Sequence, residues 1–404
     1  MKLQDVIELN PKLTLKKGVL VPFIEMAALP TNEKCIVEVA YRAVTGSGAK
    51  FQNGDTLFAR ITPCLENGKG GYVAGLPLGA VGQGSTEFIV FRARKKSDEQ
   101  FAYYLTRYSK FRNFAEKGMV GTSGRQRVTW QTLADFELPN LAKSQRAALG
   151  EILASLDDKI ELNRRMNETL EEMARALFRD WFVDFGPTRR QMAGETSPAA
   201  IMGQASPPEK AAPLAPLFPT TLGDDGLPDG WETRGLRSAL TLNYGKSLTK
   251  KARKPGRFNV FGSGGVSGTH DTALAKGPSI IVGRKGTVGS LYWTREDFYA
   301  IDTVFYVTSD YPMVYCHRLL ETLGLETMNT DAAVPGLNRD NAYRQEFAFG
   351  GDDLVKAYAD FAGALTEKLD ANEQENQTLA ALRDLLLPKL MSGEIRLKDA
   401  EAAL

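Results

Sequence analysis

The feature that most constrains this chain is that it repeats itself. LDDKIELNRRMNETLEEM, Leu156 to Met173, matches LTEKLDANEQENQTLAAL, Leu365 to Leu382, at an offset of 209. Leu156/Leu365, Lys159/Lys368, Asn163/Asn372, Asn167/Asn376, Thr169/Thr378 and Leu170/Leu379 are identical pairs. Shorter matches precede it in the same order. LQDVIELN (Leu3 to Asn10) pairs with LRSALTLN (Leu236 to Asn243) at 233, DTLFAR (Asp55 to Arg60) with SIIVGR (Ser279 to Arg284) at 224, and SGRQRV (Ser123 to Val128) with PGLNRD (Pro335 to Asp340) at 212. The falling offset puts extra loop into the first copy. Four matches in one order imply a single structural unit used twice.

Each copy reads as a lobe rich in Gly, aromatics and short β-like runs, such as EFIVFRAR (Glu87 to Arg94) and TVFYVT (Thr303 to Thr308), followed by a long helix. The expected partition is a first lobe over 1–142, a helix over 143–185, a linker over 186–222, a second lobe over 223–350 and a second helix over 351–404. The segment Pro187 to Gly230 holds eight of the 19 prolines, a composition that predicts a semi-extended connector without a packed core. The fold class expected is therefore α+β. Two globular lobes are joined by two long helices forming an antiparallel coiled coil with a pseudo-two-fold internal repeat.

The helical stripes are Leu153, Leu156, Ile160, Asn163, Asn167, Leu170, Met173, Leu177 and Leu365, Leu369, Asn372, Asn376, Leu379, Leu382, Leu386. Steps of three and four give a seam narrow enough for coiled-coil pairing. The first helix runs roughly 60 Å at 1.5 Å per residue before Gly186-Pro187 stops it; Ser392-Gly393 stops the second. Asn163, Asn167, Asn372 and Asn376 interrupt the seams at equivalent places. Either they sit on the flank in water, or they face one another and set the register of the pairing, since a buried Asn costs stability unless paired. Phe178, Trp181 and Phe182 exceed what one seam needs. They face a partner protein or a lobe, or pack locally.

Composition excludes several classes. Three cysteines, Cys35, Cys64 and Cys316, cannot build a disulfide framework or a four-Cys zinc site, and two histidines leave little for a metal site or a triad. No apolar run reaches membrane length and MKLQDVIELN lacks an apolar signal core, so the expected location is the cytoplasm. GSGGVSG (Gly262 to Gly268) fails the dinucleotide pattern because Ser267 replaces the third glycine, and YGKSL (Tyr244 to Leu248) lacks the upstream Gly of a P-loop. PDGWETR (Pro228 to Arg234) is nuclease-like but isolated. No catalytic constellation emerges and no catalytic or metal-binding residue is assigned.

The formal net charge of +1 argues at first against nucleic acid, but the charge is uneven. Residues 1–142 carry +6, the two helical segments −2 and −5, and Arg234 to Lys285 holds 11 basic residues against one acid, Asp271. The densest part is GKSLTKKARKPGRF, Gly245 to Phe258. Such a run is either a solvated loop or a phosphate-contacting surface.

The duplicated lobe-plus-helix plan resembles the specificity subunit of type I restriction-modification systems. NGDTLFARITPCLENGKGGYV (Asn53 to Val73) looks like one form of that family's target recognition domain. VFGSGGVSGTH, GPSIIVGRKGTVGSLYW and AIDTVFYV, within Val260 to Val307, look like another. LAKSQRAALGEILASLDDKIELNRRMNETLEEMARALFRDWF (Leu141 to Phe182) and ENQTLAALRDLLLPKLMSGEI (Glu375 to Ile395) look like its helical regions. The resemblance covers essentially the whole chain. It implies that each lobe reads one half of a split double-stranded DNA target and that the helices set the unread spacer. It also implies two docked modification (methyltransferase) subunits and added restriction (motor and nuclease) subunits. S-adenosylmethionine would belong to the modification subunit, and ATP and Mg to the restriction subunit, with no cofactor on this chain. The competing readings are a self-sufficient DNA methyltransferase or nuclease with an unrecognised site, and a purely structural coiled-coil adaptor.

No base reader carries over from the family, because recognition domains differ with their targets. Residue chemistry and repeat position select Arg60, Lys69, Arg125, Gln126 and Arg127 in the first lobe as DNA contacts. In the second they select Lys246, Lys250, Lys251, Arg253, Ser263, Arg284, Lys285, Asn338 and Arg339. Arg60 and Arg284 occupy matched positions after strand-like runs, and Arg125/Arg127 and Asn338/Arg339 lie in loops matched at 212.

Overall fold

A computed structural model of the chain describes residues 1–36, 38–122, 124–203, 208–328 and 336–395. Contacts divide the chain into two compact units, Met1–Arg165 with Asn372–Leu404, and Met166–Ala371. Each unit thus holds one lobe and part of both long helices, which a partition by consecutive segments does not capture.

The first lobe runs β1 (Ile7–Leu9), β2 (Leu20–Ile24), β3 (Ala40–Ala43), β4 (Ala49–Phe51), β5 (Thr56–Ala59), β6 (Gly70–Tyr72), β7 (Gly82–Gly84), β8 (Phe88–Ala93), then α1 (Glu99–Arg107), α2 (Ser109–Lys117) and α3 (Trp130–Ala134). Its sheets have the orders β1-β8-β5-β6 and β3-β2-β7-β4. The first sheet is antiparallel throughout, whereas β2 and β7 run parallel. Successive side chains leave a strand on opposite faces. Phe58, Ile89 and Phe91 therefore enter the main core with α1 and α2, while Leu57, Ala59, Phe88 and Val90 enter a smaller core with Ile24 and Phe51. Burial on both faces is why these strands read as unbroken apolar runs.

After the helix α4 (Lys143–Phe182), the second unit continues with α5 (Gly186–Met192), α6 (Pro198–Met202) and α7 (Pro208–Leu214). Then come β9 (Glu232–Gly235), β10 (Thr241–Tyr244), β11 (Phe258–Gly262), β12 (Gly265–His270), β13 (Ser279–Gly283), β14 (Leu291–Thr294), β15 (Phe298–Ala300) and β16 (Val304–Thr308). It closes with α8 (Met313–Thr322), α9 (Arg339–Tyr343), β17 (Glu346–Phe349) and α10 (Asp352–Ser392). The sheet β10-β16-β13-β14 repeats the first lobe's order, again antiparallel, and β11 pairs parallel with β15 as β2 does with β7. Even the phase is kept. Ile281, 224 residues after Leu57, enters the second lobe's small core, and Val282 enters its main core as Phe58 does. The Leu3 N–H donates to the Phe136 carbonyl at 2.9 Å, and the matched Leu236 N–H donates to the Gln345 carbonyl at 2.8 Å.

The Pro-rich segment is not the extended connector that composition predicts. It forms α5, α6 and α7, and Ile201, Met202, Ala211, Ala215 and Phe218 are buried in the second unit's core. Pro187 and Pro198 fall in first turns, where a fixed φ and a missing N–H suit a helix. Ser197 caps α6, accepting from the Ala200 N–H at 3.3 Å.

The two long helices pair antiparallel within each unit. In the first, Asp157 meets Arg383 at 2.5 Å and Asn163 meets Asn376 at 3.0 Å, numbers rising on α4 as they fall on α10. In the second, Asn167 Nδ2 donates to the Leu369 carbonyl at 3.2 Å, and the Tyr358 hydroxyl donates to the Ala174 carbonyl at 3.0 Å. Asn163 and Asn376 thus face each other, and Asn163 also donates to Glu375 at 2.7 Å. Asn372 is buried in the seam as well. The stripe expected at Met173 is displaced. Met173 is 40% exposed and Ala174 is buried, because a 3.6-residue helix drifts away from a strict heptad.

Phe178, Trp181 and Phe182 do not face a partner protein. All three are buried in the second unit's own core, with Phe178 and Phe182 against Tyr315 and Tyr358 and Trp181 against Phe218 and Tyr358. Here α4 covers α8 and the start of α10, so its apolar stripe must widen from a coiled-coil seam into a broad face.

Candidate nucleic-acid interface

In the second lobe, strand geometry gathers residues distant in sequence. β13 delivers Arg284 and Lys285 at its end, where both backbone N–H groups donate to the Thr303 carbonyl, at 2.9 and 3.0 Å. The Leu337 N–H donates to the Arg284 carbonyl at 2.8 Å, which draws the start of α9 to the same place. Tyr244 ends β10 and is 46% exposed. Two guanidiniums lie over its ring, Arg284 at 4.8 Å and Arg339 at 4.7 Å from the centroid. The Ser263 N–H donates to Thr303 Oγ1 at 3.4 Å, and a Cβ on Gly286 would stand 3.3 Å from Ser263 Oγ. Tyr244, Ser263, Arg284, Lys285 and Arg339 therefore share one surface. Arg284 Nη1 donates to the Asp302 carbonyl at 3.1 Å, and among the described residues neither Arg284 nor Arg339 forms an ion pair.

The other candidates of this lobe are placed differently. Lys246 is exposed just beyond β10, its N–H held by the Ala300 carbonyl at 2.9 Å. Lys250 and Lys251 are exposed on the turn Lys250–Ala252, and Arg253 donates to the Ser267 carbonyl of β12 at 2.6 Å. Asn338 is a helix cap. Its side chain accepts from the Asp340 and Asn341 N–H groups at 2.8 and 3.2 Å, so this amide is committed to starting α9.

The first lobe builds the matched place with other chemistry. Arg60 follows β5 as Arg284 follows β13, and the Val128 N–H donates to its carbonyl at 2.9 Å. That bond makes Val128 the counterpart of Leu337, at an offset of 209; the offset of 212 read from sequence is corrected accordingly. Ser123 and Pro335, which begin the two matched strings, lie outside the described residues. Glu87 stands in strand register where the second lobe has Thr303. Its carboxylate accepts from Arg60 Nε at 3.2 Å and from Arg127 Nε and Nη2 at 2.9 and 2.8 Å. The hydrogen bond from Arg127, followed by the two positive charges, holds the Glu87 carboxyl below its ordinary range.

Lys69 is engaged within its own lobe. Its ammonium donates to the Met26 and Ala27 carbonyls at 3.0 and 3.3 Å and clasps the lobe's own backbone. Gln126 exchanges bonds with Thr62 through its main chain, and Arg125 is exposed. A cleft of about 400 Å³ beside Arg60 takes Lys12 and Lys50 into its lining. Sequence reasoning missed Tyr244, Glu87 and Trp130. Trp130 is 41% exposed and stands 209 residues before Arg339. Only Tyr244 carried a signal, lying directly beside the basic run.

Among the described residues, no three His, Cys, Asp or Glu side chains cluster as metal ligands, and no helix is long and apolar enough to cross a membrane. No protein-family model matches the chain. It is 25% identical to the type I restriction enzyme HindI specificity subunit of Haemophilus influenzae, over 85% of this chain and 87% of that protein. To the MjaIX specificity subunit of Methanocaldococcus jannaschii it is 21% identical, over 74% of this chain and 70% of that one. Among solved structures it shares the fold of a type I restriction-modification S subunit from M. genitalium, with a TM-score of 0.55, 15% identity, and 96% and 95% of the two chains covered.

Proposed function

We infer, from a chain that belongs with the type I restriction-modification specificity subunits by descent and by fold, that each lobe reads one half of a split DNA target. The observation that carries this is the lobe built twice. The same strand order recurs in the same phase, with an arginine at the same strand end in both copies. One reader used twice is what a two-part target requires, and half-site spacing then becomes a geometric quantity. Phosphate contacts from Lys and Arg position such lobes, and a few side chains in the grooves specify bases.

In this reading the paired helices set the spacer and dock two modification subunits, and restriction subunits join that assembly. With Phe178, Trp181 and Phe182 buried, the exposed Leu162, Met173 and Leu385 of the helices become the apolar candidates for partner contact. The chain itself catalyses nothing. S-adenosylmethionine is held by the modification subunit, ATP and Mg by the restriction subunit, and the assembly works in the cytoplasm.

Methylome sequencing of cells carrying the complete system tests this. A split motif is expected, and deleting either lobe should erase one half of it. Methyl transfer to DNA by the pure chain without partners would overturn the non-catalytic assignment. A chain that confers no sequence preference on the modification assembly would overturn DNA reading and leave a structural adaptor.

A further inference from the structure

We infer that the two lobes hold their arginine pairs in opposite electrostatic states: Arg284 and Arg339 lie over Tyr244 as a phosphate clamp, while Glu87 locks Arg60 and Arg127 and removes that site from phosphate binding. This deepens the DNA-reading assignment above and rests on it.

A guanidinium stacked on an aromatic ring is held in place with its charge intact, because the ring contributes a quadrupole and no anion. Arg284 and Arg339 lie 4.8 and 4.7 Å from the Tyr244 centroid, on a ring that is itself 46% exposed. Lys285 follows at the strand end and is exposed. Among the described residues Arg339 Nε is buried with no acceptor. Two like charges held about one ring repel each other, and a phosphate relieves that repulsion while accepting their hydrogen bonds. At the register position of Glu87 this lobe has Thr303, whose hydroxyl accepts from the Ser263 N–H and carries no charge.

Glu87 reverses the situation. Its carboxylate, 22% exposed, takes both Arg127 nitrogens and Arg60 Nε. A phosphate arriving there meets a fixed anion, and displacing Glu87 would leave a half-buried carboxylate beside it. The first lobe therefore offers at this place directed hydrogen-bond groups with little net attraction for the DNA backbone. Of these two matched places, the one in the second lobe should supply the salt-dependent affinity, since each phosphate neutralised adds about 0.9 to the slope of log affinity against log salt.

The test uses the full chain assembled with its modification subunits. Binding to a labelled duplex of random sequence is titrated with KCl between roughly 50 and 200 mM. Arg284→Ala with Arg339→Ala should make the slope shallower by about two. Arg60→Ala with Arg127→Ala should change it by less than about half a unit, and Glu87→Gln should steepen it by about one to two. Glu87→Gln keeps the side chain's shape, so this arm still decides if the double alanine variant fails to fold. Equal slope losses from the two arginine pairs, or an unchanged slope in Glu87→Gln, would overturn the inference. Failure of the wild-type assembly to bind any duplex would instead refute the DNA-reading assignment, and would be seen before any variant was made.

Discussion

Asn163→Ala should weaken the first unit by about 2–3 kcal/mol. The side chain is fully buried on α4 and donates to Asn376 Oδ1 at 3.0 Å and to Glu375 Oε2 at 2.7 Å. A neutral hydrogen bond contributes about 0.5–1.5 kcal/mol and one to a charged group about 1.5–3. The Glu375 side chain is 43% exposed, which places its share at the low end of that range. Removing the amide also leaves Asn376, 7% exposed, facing an apolar methyl. For a folding unit of this size each kcal/mol moves the melting midpoint by roughly 2–4 °C, so the transition should fall by about 4–12 °C. Replacing both partners, Asn163→Leu with Asn376→Leu, should recover most of the loss, because no polar group is then stranded. Thermal melts followed by circular dichroism read both effects. A single variant within about 1 °C of wild type would show that water, and not the pairing, satisfies the amide, and the register argument would fall.

Arg146 and Asp98 form a buried pair in the first unit, 9% and 2% exposed, so Arg146→Met should cost about 3–5 kcal/mol by stranding the carboxylate. Arg179→Ala removes a pair that is 71% and 53% exposed and should cost less than about 0.5 kcal/mol in urea unfolding. Trp181→Ala should cost about 3–5 kcal/mol through the cavity it leaves. A variant of normal stability that loses only the modification subunit would restore Trp181 as a partner contact. Burial, then the neighbouring Arg318, pushes the His317 imidazole down to about 4 from 6.5. The folded state thus binds fewer protons than the unfolded one between these values. Its stabilisation is full above pH 6.5 and is lost as pH falls toward 4, on the order of 2–3 kcal/mol. Comparing melts of His317→Gln and wild type at pH 7 and near pH 4.5 checks this, and identical pH dependence would refute it.

The lobes, the helices and their duplication were legible in the sequence because each rests on local pattern. Leu57 and Ile281 lie in the same phase of matched strands, and Leu153, Leu156 and Ile160 repeat at helical spacing. Such periodicity survives in a linear string because burial imposes it residue by residue. The Pro-rich segment misled because composition counts prolines without locating them. Pro187 and Pro198 occupy first turns, where they favour a helix.

The candidate site divides along the same line. That Arg60 and Arg284 end equivalent strands was readable from sequence, since repeat position is a one-dimensional property. What each arginine meets there was not. Glu87 lies 27 residues from Arg60 and 40 from Arg127, and Tyr244 lies 40 residues before Arg284. Only sheet order brings these groups together. Sequence alone determined a reader used twice on paired helices, because hydrophobic period and repeat follow from short-range spacing. The tertiary structure decided which positive charges remain open, because ion pairing depends on distances of a few ångströms between strands remote in the chain.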